Sequence, residues 1–343
     1  MFVKTQDLYQ MLGRLSRIMP KQTPLLAELC YRLWADAGTL YGYAANTGDG
    51  ISLQLGIPCD GEFQDVVVAD TLGKVLQYLK CETVELSLTE DGSQVVCKSE
   101  NSTSRHMIST NYMPEISIDD AESVGVITAR EFAMIASGVV QLTNKNSAES
   151  ILRAVCIRGG YVSATDKFSA ARVFCPELDK HLVAFPTGYA LAEFARFEVD
   201  ADVSASDSGM LFVGDKVEMR MLQVDIPRAM DISVLFTQDA PKNVSGIDAA
   251  EFVSILNAAS VFTEHAIYLD VTPDELVVRA REYHATMPCV ANTSDVLMFD
   301  VNRMLQASRS FFKTVEFSFH SAQKPILLFK GKCEYAMMGM YDK

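Results

Sequence analysis

Thr165 and Asp166 are adjacent, a hydroxyl beside a carboxylate, and they come nearest in this chain to a nucleophile with its base. They follow the strand-like run Tyr161 to Ala164, where a polar turn needs the same residue types, and no third group follows to orient them. The five histidines, His106, His181, His265, His284 and His320, never stand four apart on a helical pattern, so no paired metal ligands arise. The eight cysteines form no C-x-x-C pair and lie in or beside apolar runs, which reads as reduced, buried thiols. Gly48-Asp49-Gly50 lacks the Lys-Ser/Thr and the helix of a phosphate-cradling loop and reads as a turn. No nucleophile, base and electrophile occur together, so the chain is expected to be no enzyme and to need neither metal nor cofactor. One segment remains: Tyr335-Ala336-Met337-Met338-Gly339-Met340, which carries three of the 16 methionines. It suits an edge strand of the core and suits equally a groove for a partner peptide, because the thioether adapts to varied surfaces.

The elements that would position these residues recur along the chain. Apolar stripes at i, i+3, i+4, i+7 mark one buried helix face at Leu8, Met11, Leu12, Leu15; at Phe132, Ile135, Ala136, Val139; and at Phe252, Ile255, Leu256, Ala259. Second stripes follow at Leu72, Val75, Leu76, Leu79; at Thr187, Ala190, Leu191, Phe194; and at Val301, Met304, Leu305, Ser308. The first helices open at Thr5, Thr128 and Asp248, and the pairs Thr128 with Glu131 and Asp248 with Glu251 fit capping boxes. Strand-like runs lie between and after, at Val84 to Leu88, Val95 to Lys98, Ala154 to Ile157, Met210 to Val213, Ala266 to Val271, Val315 to Phe319 and Ile326 to Phe329. The unit of helix, strands, helix, strands thus occurs three times at a spacing of roughly 120 residues, which is domain-sized.

Nearly half of the 343 residues are apolar, ample for a core in each unit. No apolar run approaches the ~20 residues that cross a bilayer, and the start, Met1 to Asp7, carries no apolar signal region. The expectation is a cytoplasmic protein without membrane attachment. A net charge of −14 argues at first against nucleic acid. The basic residues nevertheless gather on or beside helices: Arg14, Arg17, Lys21, Lys74 and Lys80 early, Arg130, Lys145 and Arg196 in the middle, Arg303, Arg309 and Lys313 late. Acidic residues crowd other stretches, as in Asp119-Asp120-Ala121-Glu122, Glu198 to Asp207 and Asp270 to Glu275.

Taken in order, the repeat, Pro24-Leu25-Leu26, Ser104 to Thr110 with Met113-Pro114-Glu115, Ala164-Thr165-Asp166, Asp225-Ile226-Pro227, Pro325 and the Met-rich end resemble the bacterial sliding clamp, the beta subunit of DNA polymerase III. The resemblance spans essentially the whole chain. It implies an α+β fold of three tandem clamp domains, 1–118, 119–241 and 242–343, each pairing two helices with two small antiparallel sheets. It also implies a homodimer closed head to tail into a ring around double-stranded DNA, read through phosphates and not bases. The basic helix residues above would face the DNA, and the protein would work at the nucleoid.

The same resemblance implies a joint with His106 and Ile108 against the partner's Val261 and Phe262, with Lys74 nearby. His106 stands where a bulky apolar residue is more usual, which would make the joint pH-sensitive. A groove for the hydrophobic end of a short peptide, carried by the DNA polymerase and the clamp loader, would use Leu152, Thr165, Lys167, Phe168, Pro227, Ile232, Pro325, Met337, Met338 and Met340. Lys167 occupies a usual glycine position, Ser169 a common arginine, Arg303 a frequent aromatic and Gly339 a usual proline, and the tail Tyr341-Asp342-Lys343 also differs. The competing expectation is a monomeric clamp-fold adaptor that binds the peptide without stably encircling DNA.

Overall fold

Helix α1, Thr5–Ile18, buries Leu8, Met11, Leu12 and Leu15 against the strands Thr39–Asn46 and Ile51–Asp60. Asp7 in its first turn and Arg17 in its last complement the helix dipole. Gly42 admits the helix: a Cβ there would stand 2.8 Å from Leu15 Cδ1 and 3.0 Å from Met11 Cε. This is a computed structural model, and it describes residues 1–226, 232–236, 240–321 and 326–340. Among them no helix is long and apolar enough to cross a membrane.

The chain divides into two compact units. The first comprises Met1–Val126 and Val199–Gln223. Its main sheet runs in the order Thr103–Met107, Gln94–Lys98, Thr83–Leu88, Phe2–Lys4, Ile51–Asp60, Val217–Leu222, Gly209–Gly214, Ala201–Ala205, Glu122–Ile127. The ten-residue strand Ile51–Asp60 makes this continuity possible. Cys59 and Asp60 pair with Val3 and Phe2, while Ile51 to Leu55 pair with Met221 to Val217. Helix α2, Thr71–Leu76, packs beside α1 with Leu72 and Leu76 buried.

The second unit comprises Ile127–Glu198 and Val224–Lys343. Its nine-stranded sheet runs Val183–Ala184, Cys156–Arg158, Tyr161–Thr165, Ser169–Phe174, Glu334–Met338, Ile326–Lys330, Thr314–Phe319, Lys242–Asp248, Val290–Ala291. A four-stranded sheet runs Tyr283–Pro288, Glu275–Ala280, Ala266–Val271, Asp295–Asp300. The helices are α3 Ala129–Met134, α4 Ser150–Arg153, α5 Gly188–Ala195, α6 Ser233–Phe236, α7 Ala249–Phe262 and α8 Val301–Ser308. Phe311 packs against both Phe252 and Phe329, ring centres 6.2 and 5.1 Å away, joining α7 to the sheet core. Within the first unit the strand Val217–Leu222 bonds with Ile51–Asp60, and within the second the strand Ser169–Phe174 bonds with Glu334–Met338.

Several sequence expectations are corrected in detail. Thr128 and Glu131 form the full capping box, with Glu131 N–H donating to Thr128 Oγ1 and Thr128 N–H to Glu131 Oε2. Asp248 accepts from Glu251 N–H, which is half of that arrangement. The helix predicted through Val139 stops being α-helical after Met134; Ile135–Val139 form a π-turn and Val140–Leu142 a 3-10 turn. The wider turn buries Gly138 and leaves Ala136 half-exposed. A Cβ on Gly138 would lie 2.4 Å from Cys333 Sγ, so close approach here requires glycine. In α8 the buried positions are Val301, Met304 and Ala307, with Leu305 and Ser308 half-buried. The strand expected from Ala154 begins at Cys156, since Ala154 only bridges to Thr187. All eight cysteines are free thiols, and Cys59, Cys81 and Cys156 are only half-buried. Burial pushes the Cys333 thiol up to about 11, which keeps it protonated.

Candidate functional site

The turn between the strands Tyr161–Thr165 and Ser169–Phe174 is closed by its own side chains. Thr165 Oγ1 donates to Ser169 C=O at 2.7 Å and accepts from Lys167 N–H at 3.1 Å. Asp166 Oδ1 accepts from the N–H groups of Phe168 and Ser169 at 2.9 and 2.6 Å. The hydroxyl and carboxylate therefore build a turn, as Asp and Thr commonly do. Lys167 takes a left-handed backbone, φ +79°, which explains why glycine would serve at this position. Its ammonium meets Glu149 at 2.5 Å.

This turn projects Phe168, which is 51% exposed, and presents its carbonyl to Met338 N–H at 2.8 Å. The bond extends the pairing of Ser169 with Met337 and sets Met338, 43% exposed, beside Phe168 at the rim. Met337 points the other way into the core, as alternation along a strand requires. Met340 N–H donates to Met298 C=O at 2.8 Å, tying the end of the chain to the strand Asp295–Asp300. Thr165 and Ile232 are buried, and Leu152 is half-buried. Pro227, Pro325 and the tail Tyr341 to Lys343 lie outside the described residues.

Next to the rim lies an arginine with two aromatic neighbours that sequence reasoning missed. The Arg172 guanidinium stands 4.3 Å from the Tyr161 ring centre and 4.4 Å from that of Phe236, and it is paired with Glu334. A cleft of about 270 Å³ opens here between Arg158, Tyr161, Ser163, Arg172 and Ile232. The strand pattern held the signal, because Arg172 is opposite Ser163 on one side and Glu334 on the other. Alternation then places Arg172 and Ala170 on one face with Glu334, Ala336 and Met338.

The basic residues divide by surroundings. Arg14, Arg17, Lys21, Lys80, Arg130 and Lys313 are exposed. Lys74 meets Asp70 at 2.5 Å, Arg196 meets Glu193 at 3.3 Å, Lys145 lies 4.1 Å from the Tyr189 ring centre, and Arg309 hydrogen-bonds Gln141. Arg303 is placed apart from the others, half-buried with its guanidinium over Phe168.

The proposed joint residues also differ in kind. Val261 is 81% exposed, and Phe262 stacks on Tyr283 with ring centres 5.5 Å apart. His106 is only 2% exposed, so it is a core residue of its own unit and offers no surface to a partner. Its Nδ1 hydrogen-bonds Thr71 Oγ1 at 3.0 Å and its Nε2 Ser104 Oγ at 2.8 Å. Burial lowers its pKa below the usual value, favouring the neutral ring. On that edge strand Met107 faces out, and just beyond it Ile108 is half-buried and bridges to Val68.

No protein-family model and no curated protein matches this sequence. Solved structures do match it over nearly its full length. The DnaN sliding clamp of Pseudomonas aeruginosa, solved bound to griselimycin, is 13% identical with a TM-score of 0.87, covering 99% of each chain. The Thermotoga maritima DNA polymerase III beta subunit is 14% identical with a TM-score of 0.85, covering 100% of this chain and 99% of that one. The Caulobacter crescentus sliding clamp is 16% identical with a TM-score of 0.82 and 99% coverage of both. The chain has the sliding-clamp fold. On that α+β fold the Phe168–Met338 rim lies where an antiparallel hairpin and the last described strand meet.

Proposed function

We propose that this chain is a non-enzymatic DNA polymerase processivity factor: two copies close head to tail into a ring that encircles duplex DNA. The observation that carries the reading is the likeness to sliding clamps over 99% of the chain, at a TM-score of 0.87. Three clamp domains, 1–118, 119–241 and 242–343, supply the repeats. Two three-domain chains joined by a heterologous contact close with twofold symmetry. Exposed Val261 and Phe262 on one side, with the edge strand ending at Met107 and Ile108 just beyond it on the other, form the joint. Arg14, Arg17, Lys21, Lys74, Lys80, Arg130, Lys145, Arg196, Arg309 and Lys313 contact phosphates weakly, and the closed ring supplies retention. This reconciles DNA as a partner with a net charge of −14.

The second activity is tethering. The rim of Phe168, Met338, Met340 and Arg303, with Leu152, Thr165, Lys167, Ile232 and Met337 around and beneath it, receives the hydrophobic end of a peptide borne by the polymerase and the clamp loader. Binding at micromolar strength corresponds to about 8 kcal/mol.

Small-angle X-ray scattering with mass determination over a concentration series tests the ring. A particle of twice the chain mass with a hollow-ring distance distribution is expected. A persistent monomer would leave the adaptor reading in its place. Retention on circular DNA, with release on linearisation, tests encirclement. For the groove, Met338→Asp should abolish peptide binding without unfolding the chain, since it puts an unpaired carboxylate into an apolar contact.

A further inference from the structure

Two residues at the centre of the groove-bearing sheet face, Ala170 and Ala336, pair with each other and are fully buried. Leu328 is opposite Ala336 and Ile326 opposite Met338, so alternation puts all five side chains on one face. Two alanines between bulkier neighbours make a shallow apolar trough. It is filled from within the chain: Ile232, Leu235 and Phe236, at and around the single turn α6, pack on Ala170, Ala336, Ile326 and Leu328. Phe236 also stands over the Arg172 guanidinium.

The occupant is weakly built. One turn of helix has no stability of its own, and α6 is closed by Leu235 N–H donating to Ile232 C=O at 3.1 Å. Leu235 and Phe236 are only half-buried, and Val234 faces outward. A single turn with Leu235 and Phe236 half-buried opens at lower cost than the sheet beneath it. Yet it covers the trough that continues directly into the Phe168–Met338 rim.

We infer that α6 is an internal plug that competes with the partner peptide for this trough, so that binding requires its displacement. The inference rests on the groove reading above. A trough open a tenth of the time binds its ligand about tenfold more weakly than one always open.

The test uses the full chain and a fluorescein-labelled pentapeptide copying Ile232–Phe236, followed by fluorescence anisotropy. The double variant Leu235→Ser with Phe236→Ser, checked for folding by circular dichroism, should bind the peptide about tenfold or more tighter than the parent. Should that variant fail to fold, Phe236→Ala alone carries the test with a smaller gain in the same direction. Saturating peptide should also speed hydrogen exchange at the Leu235 amide of the parent. Equal affinity of parent and variant, with binding abolished in Met338→Asp, overturns the plug and leaves the groove. Absence of binding in parent and variant alike overturns the groove reading, and the plug with it.

Discussion

The guanidinium of Arg303 lies 3.8 Å from the centre of the Phe168 ring. Arg303 lies in the first turn of α8, where Asp300 caps its amide, and Phe168 tips the turn after Asp166, so one contact joins a helix start to a hairpin. A half-exposed cation over an aromatic face is worth about 0.5–1 kcal/mol. A double-mutant cycle with Arg303→Leu and Phe168→Leu, followed by urea unfolding, should return a coupling in that range. Zero coupling would reduce the contact to chance proximity.

Gly138→Ala should destabilise the chain by about 1–3 kcal/mol, because the new methyl overlaps Cys333 Sγ in a packed core. Adding Cys333→Ala should recover part of that stability. Denaturant midpoints of the two single variants and the double variant decide it, and strict additivity would mean that the two sites do not touch.

His106 gives a pH dependence of definite sign. Its folded pKa lies below its ordinary 6.5, so the unfolded chain takes up the proton more readily. Stability from the neutral ring is complete above about pH 6.5 and is lost as pH falls from there through the lowered folded value. The melting temperature should therefore drop more between pH 8 and pH 5 in the parent than in His106→Gln. Equal drops would remove the buried imidazole from the account. The effect belongs to the stability of one unit, whereas the sequence suggests a pH-sensitive joint.

Arg14→Glu with Arg17→Glu tests the proposed DNA-facing surface. Both side chains are exposed on α1. Loading on nicked circular DNA should fall, and the salt dependence of binding should flatten by about 0.9 in log–log slope for each phosphate that is no longer neutralised. Unaltered retention would remove Arg14 and Arg17 from the proposed DNA contact.

Periodicity is what makes much of the fold legible in the sequence. The stripe Leu8 to Leu15 and the run Ala266 to Val271 appear where expected, because each long element buries one face and its pattern repeats. The π-turn at Ile135 leaves no such trace, because Phe132, Ile135 and Val139 remain buried under either winding and only Gly138 betrays the difference. The resemblance puts His106 at a joint, while its ring is satisfied in the interior by Ser104 on its own strand and by Thr71, 35 residues away, a partner that only the fold brings to it. The resemblance marks Arg303 as a departure from a frequent aromatic, but its contact with Phe168 is not legible because that ring is distant in sequence. The single turn α6 is too short to leave a period at all.

The pairing of Ile51 to Leu55 with Val217 to Met221 also sets an order of events during synthesis. The first 126 residues leave the ribosome well before the strands that complete their sheet, with Ile127–Glu198 emerging between. Until Gln223 is released, the Ile51–Leu55 stretch presents an open backbone edge to the cell, which is where a nascent chain is most exposed to mispairing. A chaperone that shields growing chains would have its longest task here, on the Ile51–Leu55 edge until the strand Val217–Leu222 has emerged.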